Sequence, residues 1–281
     1  MVNFLLTIYT VDDEAKMQNG AGLNFINNIE TLANQYNECR MGASIFSYLV
    51  GYQDPRINKY FKNSESPYAV PVGNYGSFQA INTGNIREKN DLYKAFSIPN
   101  IEKNTPTYWL RTSEVLFLRA EGALLGWNMG GSPKQLYTQG IEMSFAENGV
   151  SPSLVNDYIN SGRKPAKHAA YGQPAPSEVT TEFSGSFEEK LQKIITQKWL
   201  ALYPNGQEAW SEWRRTGYPE LYPVSVNKSG GEVDSQKGIR RMRYPISSRK
   251  SEKNIENINQ AISLLGGEDK ASTNLWWDKK N

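Results

Sequence analysis

The sequence predicts a mostly α-helical protein in which helical hairpins carry long loop-rich insertions and few short strands. Three observations lead to this prediction. Apolar residues recur at helical spacing in several segments, capping signals stand at the ends of those segments, and Gly, Pro, Ser and Asn are frequent between them. The longest of these loops are 64–107, 151–185 and 224–238. With 281 residues, 38% of them hydrophobic, the chain is long enough to bury a sizeable core.

Two short helices and a strand are predicted in the first third of the chain. The stretch 24–36 is periodic but rich in Asn, which weakens its helix signal. Asp54 and Pro55 have the pattern of a helix cap and a first-turn proline. The apolar residues that follow at helical spacing are Ile57, Tyr60 and Phe61. A strand is predicted over 68–72.

A central hairpin is predicted next. The segment WLRTSEVLFLRAEGALLGW, from Trp109, is apolar on more than one face, which predicts a helix that is nearly surrounded by other elements. Its partner begins with Ser132 as the cap, Pro133 at the first helical position and Gln135 three residues after the cap. That helix is expected to end near Gly149.

The clearest predicted helix covers 187–202. Ser186 and Glu189 form a capping box, and the turn Pro204-Asn205-Gly206 ends the helix before a second one over 207–215. The helical spacing of three tryptophans in this hairpin predicts core positions for Trp199, Trp210 and Trp213. A strand over 241–246 and a helix with apolar residues Ile255, Ile258, Ile262 and Leu265 are predicted towards the carboxy terminus.

Composition excludes several classes of protein. The 31 Lys and Arg residues against 29 Asp and Glu give a net charge of +2, so there is no basic footprint for nucleic acid or for an anionic membrane. One Cys cannot form an internal disulfide, and one His excludes multi-histidine metal sites. The apolar stretch at the amino terminus is far short of the roughly 20 residues that cross a bilayer, and it lacks the features of a signal peptide.

No catalytic motif for phosphate, dinucleotide, acyl-transfer or zinc chemistry is present in the sequence. His168 is predicted to be a solvated loop histidine, and Cys39 an inert, half-buried thiol. Adjacent acids such as Glu188 and Glu189 stand in the first turn of a helix, where they complement its dipole. The search for catalytic motifs is therefore mostly negative, and no cofactor is predicted. No ligand spacing points to a metal, although a calcium site built from loop carboxylates and carbonyls stays an alternative.

Aromatic residues in the polar loops are the candidate ligand contacts. They lie outside any helical stripe that would place them in a core, and flat rings flanked by Asn, Asp and Arg suit the apolar face of a sugar. Tyr and Trp are also enriched in protein interfaces, so the same residues fit a protein partner. The candidates are Tyr68, Tyr75, Phe78, Tyr171, Trp276 and Trp277.

Four segments together carry a family resemblance. They resemble the carboxy-terminal half of SusD/RagB-type proteins, and the likeness extends from about Met41 to Ile262. The third segment is the most specific. In chain order the segments are MGASIFSYLVGYQDPRINKYF, YWLRTSEVLFLRAEGALLGW, QKWLALYPNGQEAWSEWRRTGYPEL and RRMRYPISSRKSEKNIENINQAI.

The resemblance implies a scaffold of tetratricopeptide-like hairpins in a single domain, 1–281, that lacks the preceding helical repeats. It also implies a non-catalytic protein of the outer membrane and cell surface. Such a protein binds oligosaccharides or polysaccharides and delivers them to a SusC-like TonB-dependent transporter barrel. Family members reach the membrane only through a lipid anchor on a Cys, and the residues before Cys39 do not form a lipobox. The anchor is therefore expected to be absent from this sequence.

Two other functions are alternatives. The first is a helical-repeat protein that contacts only other proteins, or a peptide-uptake component with no glycan binding. The second is a glycoside hydrolase, which would need two acids facing each other across a cleft.

Overall fold

The structure is a computed structural model that describes residues 10–20, 22–85, 89–169, 172, 174–245 and 251–278. Helices dominate this part of the chain, and its only strands are four short ones, which confirms the predicted mostly helical class. The described α-helices are α1 (Asn28–Glu30), α2 (Ala43–Gly51), α3 (Ile57–Tyr60), α4 (Thr112–Leu124), α5 (Pro133–Glu147), α6 (Val155–Ile159), α7 (Phe187–Ala201), α8 (Gly206–Thr216) and α9 (Glu252–Ser263).

The strands form two small antiparallel pairs. Strand β1 (Ala15–Met17) pairs with β4 (Thr107–Leu110), and β2 (Val70–Pro71) pairs with β3 (Ser77–Phe78). The second pair confirms part of the strand predicted over 68–72. No strand forms over residues 241–245, where one was predicted, and Ile246 lies outside the described residues.

Local sequence signals determine where the long helices begin. The Ser132 side chain accepts a hydrogen bond from the Gln135 amide at the start of α5. Ser186 and Glu189 form the complete capping box of α7. Helix α8 ends at Gly217, whose φ of 78° lies in the left-handed region that favours glycine. These ends agree with the sequence prediction to within one or two residues.

The first helix of the central hairpin differs from its prediction. Trp109 and Leu110 belong to β4, and α4 begins only at Thr112. Leu118 is the one exposed residue of α4, so the helix is nearly surrounded, as its apolar pattern predicted. The helix packs along α5 and against α7. The apolar pattern thus predicted the burial of this helix, and only its start was placed too early.

The core lies between α4, α5, α7 and the α2–α3 segment. Phe117, Ile141, Phe145 and Ile194 are fully buried in it. Gly140 allows α4 and α5 to approach closely, because a Cβ atom at this position would lie 2.7 Å from the Phe117 ring. The interior is packed without room for one extra carbon at that point.

Candidate functional site

Two of the predicted loop aromatics are largely exposed. The side chain of Tyr68, just before β2, is 80% exposed, and that of Trp276 near the carboxy terminus is 79% exposed. A ring with this exposure offers a face to a ligand without prior unfolding. Tyr68 and Trp276 are therefore available as stacking surfaces.

The other predicted aromatics are less accessible or undescribed. Tyr75 packs half-buried against the core, and Phe78 is fully buried inside it. The Phe78 ring is therefore unavailable to a ligand, because long-range packing of β3 turns it inward. Tyr171 lies outside the described residues. Trp277 is half-buried and packs against an arginine.

Two buried arginines hold the carboxy-terminal segment that carries Trp276. The Arg240 guanidinium is fully buried and binds both carboxylate oxygens of Asp278, each at 2.6 Å. Arg214 lies over the indole of Trp210 at 3.5 Å and 5.0 Å from that of Trp277. The exposed Trp276 indole thus projects from a segment that is fixed by its two following residues.

The arginines also contact the backbone and so brace the surrounding loops. Arg214 donates to the Arg240 carbonyl at 3.0 Å, and Arg240 donates to the Arg214 carbonyl at 3.3 Å. Arg241 binds Asp269 and donates to the Lys270 carbonyl. These contacts join the loop that precedes α9 to α8 and to the segment that follows α9.

A large apolar groove lies beside this anchor, and the sequence reasoning missed it. Four aromatic residues of the α7–α8 hairpin line it, and it encloses about 1020 Å³. Exposed Ile239 and Met242 add apolar atoms at its edge. We call this feature the tryptophan groove. Its aromatic residues from this hairpin are Trp199, Tyr203, Trp210 and Trp213, each half-buried rather than fully enclosed.

The three tryptophans were predicted to be core residues because of their helical spacing. The structure corrects this prediction, since one side of each ring packs on the protein while the residue also lines the groove. Trp199 contacts Tyr48 edge-on at 5.9 Å, and Trp213 lies beneath Arg240 at 4.4 Å. The sequence signal that could have revealed the groove is the density of aromatics in one hairpin.

The charged side chains that line the groove are two cations, Arg40 and Lys228. Arg40 donates to the carbonyls of Tyr93 and Ala33 and to the side chain of Asn37. Burial lowers its pKa. Cys39 also lines the groove, and burial raises the pKa of its thiol, which agrees with the half-buried, inert cysteine that was predicted.

A second group of charges lies between α4, α7 and α8, with Lys198, Glu114 and Glu212 buried and Arg215 partly exposed. The Lys198 ammonium is almost fully buried, 3.8 Å from Glu114 and 3.3 Å from Glu212. Arg215 joins Glu212 to Glu121 through further ion pairs. This network contains three carboxylates and two cations. Burial raises the pKa of Glu114 to about 7, with Lys198 opposing the shift.

Asp54 and Arg56 form a third, fully buried pair. Their closest atoms are 2.6 Å apart, and Tyr158 donates a hydrogen bond to Asp54 at 2.8 Å. Arg56 also donates to Ser144 and Gln197. Both charged side chains are completely inaccessible, so this cluster fastens α3 to α5, α6 and α7 and cannot contact a ligand.

His168 was predicted to be a solvated loop residue, and that prediction is wrong. Its side chain is only 7% exposed and packs edge-on against Phe46. The ring Nε2 lies 3.1 Å from the Ala80 carbonyl oxygen, and the backbone amide donates to the Tyr222 hydroxyl. Burial lowers the pKa of the imidazole. The surrounding polar sequence gave no sign of these long-range contacts.

Within the described residues, no group of three or more His, Cys, Asp or Glu side chains has an arrangement that could hold a metal ion. None of the described helices is long and apolar enough to cross a bilayer.

Helical hairpins that support long aromatic-bearing loops define the class to which this fold belongs. The same architecture occurs in solved SusD homologues. One from Bacteroides thetaiotaomicron is 36% identical over 97% of this chain and 58% of its own, with a TM-score of 0.83. One from Bacteroides ovatus is 34% identical over 96% of this chain and 57% of its own, with a TM-score of 0.84.

A chitin-binding SusD homologue from Flavobacterium johnsoniae is 36% identical over 97% of this chain and 55% of its own, with a TM-score of 0.84. The family profile described as "Susd and RagB outer membrane lipoprotein" matches residues 6–278. This chain belongs to the SusD-like family. It spans less than three fifths of each of these homologues. No curated protein matches it.

Proposed function

We propose that this chain is part of a non-catalytic protein that binds oligosaccharides or polysaccharides at the cell surface. The observation that carries the proposal is its 36% identity, over nearly its whole length, to a chitin-binding SusD homologue. The exposed rings of Tyr68 and Trp276 supply stacking surfaces of the kind that sugar recognition needs. Stacking of this kind contributes about 1 kcal/mol per ring.

The test is binding of the purified chain to chitooligosaccharides and to a panel of soluble polysaccharides, by native affinity gel and calorimetry. If Trp276 contacts the sugar, Trp276→Ala should weaken binding about fivefold, since about 1 kcal/mol corresponds to that factor. Trp127→Ala is the matched control, because Trp127 is also exposed and was not a candidate. Equal losses in both variants would remove Trp276 from the site, and no glycan binding by the folded chain would contradict the function.

Delivery to a SusC-like TonB-dependent barrel and attachment to the outer membrane through a lipid anchor belong to the same proposal. Family membership supports them, because the family is described as outer membrane lipoproteins. Co-expression with a SusC-like barrel, followed by purification through a tag on the barrel, tests the partnership. Recovery of the barrel without this chain would contradict it.

A further inference from the structure

Two buried guanidinium groups beside the carboxy-terminal segment carry N–H donors that no described residue accepts. Arg214 is 7% exposed, and Arg240 is fully buried. The Nε atom of Arg214 and the Nη1 atom of Arg240 are both enclosed and have no hydrogen-bond partner among the described residues. An unsatisfied buried donor destabilises a fold, most strongly when it belongs to a charged group. Two such donors on neighbouring arginines therefore indicate an acceptor that is not a protein side chain.

The other nitrogen atoms of the two arginines are held by contacts within the fold. Arg214 donates through Nη1 to the Arg240 carbonyl and through Nη2 to the Ser211 hydroxyl. Arg240 donates through Nε and Nη2 to the Asp278 carboxylate, and through Nη2 to the Arg214 carbonyl. These contacts fix the orientation of both guanidinium planes. Neither side chain can therefore turn its remaining donor towards another residue without losing bonds that it already makes.

The charge of this cluster is not balanced. Arg214 and Arg240 have one carboxylate beside them, that of Asp278, and both of its oxygens bind Arg240. Arg241 does not alter the count, because its own carboxylate partner, Asp269, lies 2.5 Å away. Burial and the neighbouring charge of Arg240 lower the pKa of Arg214, and Asp278 opposes this shift. The cluster thus buries one positive charge more than its described residues neutralise, which is costly in a protein interior.

Indole rings cover the faces of both guanidinium groups. Arg214 lies 3.5 Å over the ring of Trp210 and 5.0 Å from that of Trp277, and Arg240 lies 4.4 Å from that of Trp213. The N–H groups of a guanidinium point outward in its own plane, so the rings leave the edges available. Because both donor atoms are enclosed, a sugar or a peptide cannot reach them. Only a small ligand fits these edges.

We propose that a small monovalent anion of the halide class, such as chloride, binds at the unpaired edges of Arg214 and Arg240. An anion accepts the charge-assisted hydrogen bonds that these edges offer, and it also cancels the excess positive charge. A buried water molecule would accept the same hydrogen bonds but would leave the charge unbalanced. The bound anion supports the Arg240–Asp278 pair that holds the segment of Trp276. This site is independent of the proposed glycan binding.

Thermal unfolding at constant ionic strength tests the proposal in solution. Sodium gluconate, whose anion is too large for an enclosed site, is replaced stepwise by sodium chloride. The melting temperature of the wild type should rise, in a saturable manner, by about 2–4 °C more than that of Arg214→Gln, which removes the excess charge. Arg243→Gln is the matched control, because it changes the net charge equally but removes a partly exposed pair with Glu232. The control should keep the chloride dependence of the wild type.

A crystal of the wild-type chain grown in sodium bromide locates the ion. Anomalous scattering should show bromide within hydrogen-bonding distance of the Arg214 Nε atom or the Arg240 Nη1 atom. Ordered water without bromide at both atoms would overturn the proposal, and so would an equal chloride dependence in the wild type and Arg214→Gln. If Arg214→Gln does not fold, the bromide crystal decides alone. Glycan binding by the wild type tests the proposed function separately from either result.

Discussion

The interior between α4, α5 and α7 and the tryptophan groove are both built from apolar residues at helical spacing, yet only the interior is filled. Phe117, Ile141 and Ile194 are fully buried, whereas Trp210 and Trp213 are half-buried beside about 1020 Å³ of open space. Helical periodicity identifies a face that avoids water. It does not tell whether another part of the same chain covers that face.

The interior and the groove also differ in how their cationic side chains are paired with carboxylates. Beside the interior, Lys198 and Arg215 are paired with three carboxylates across α4, α7 and α8. At the groove, Arg40 and Lys228 have no carboxylate among the described residues that line it. The interior thus pairs its cations within the fold, whereas the groove presents two cations that could complement an acidic group on a ligand.

The largest expected difference between the regions is the cost of removing an apolar side chain. Phe117→Ala should lower the free energy of unfolding by about 3–5 kcal/mol, because it leaves a cavity in a packed interior. Ile239→Ala, at the edge of the groove, should cost about 1 kcal/mol or less, since Ile239 is already half exposed. Urea unfolding measures both. Similar costs would show that the groove is packed as tightly as the interior.

Adding a methyl group should also affect the two regions differently, with a loss of stability in the packed interior and none at the groove. Gly140→Ala should destabilise the protein by about 1–3 kcal/mol, because the new Cβ atom would lie 2.7 Å from the Phe117 ring. Gly206→Ala, at the groove, has no atom within 4 Å of the new Cβ and should be neutral or slightly stabilising. Thermal unfolding of the two variants tests the pair. A neutral Gly140→Ala would mean that α4 and α5 can separate at little cost.

The charged network between α4, α7 and α8 should make the protein's free energy of unfolding depend on pH. In the folded state, burial raises the pKa of Glu114 to about 7, above its ordinary value. The folded state therefore binds more protons than the unfolded state between these pKa values, and stability falls as the pH rises through this window. Allowing for partial solvent screening, the fall attributable to Glu114 should be about 1–2 kcal/mol between pH 5 and pH 8.

Glu114→Gln should remove that part of the pH dependence while Glu212 still neutralises Lys198. Measuring the free energy of unfolding of the variant and the wild type at pH 5 and pH 8 shows how much of the pH dependence is due to Glu114. Glu147, whose pKa is also raised by burial, is present in both proteins and cancels. An identical pH dependence in the variant would mean that Glu114 is ionised throughout the range.

The smallest expected effect is that of a charge placed at the edge of the groove. Met242→Asp should change the free energy of unfolding by no more than about 0.5 kcal/mol, because Met242 is largely exposed. Urea unfolding of the isolated chain measures the change. A large loss of stability would show that the groove closes on itself in solution, and the comparison between filled and open regions would fail.

The helices were predictable because their signals are local. The capping box of Ser186 and Glu189, the Ser132 cap and Gly217 each act within one turn of the helix end that they define. Errors appeared where a neighbour distant in the sequence decides the structure. Pairing with β1 keeps Trp109 and Leu110 in a strand, although their apolar pattern continues into α4.

The candidate aromatics illustrate the same division. Polar neighbours suggested that Tyr68 and Phe78 are both exposed, but only Tyr68 is. His168 also stands in a polar loop and is buried by Phe46 and Tyr222. The sequence composition around a residue indicates only the average polarity of its neighbours along the chain. It does not report contacts made across more than a hundred positions of sequence.

By itself, the sequence determined the helical class, the ends of α5, α7 and α8, and the resemblance to SusD/RagB-type proteins, because each depends on signals within short segments of the chain. Tertiary structure alone decided which faces are covered. Asp54 illustrates this, since its sequence context predicted only a helix cap, yet its carboxylate meets Tyr158 in the buried cluster around Arg56. Burial is a property of the assembled packing, and one helix cannot specify what lies opposite it.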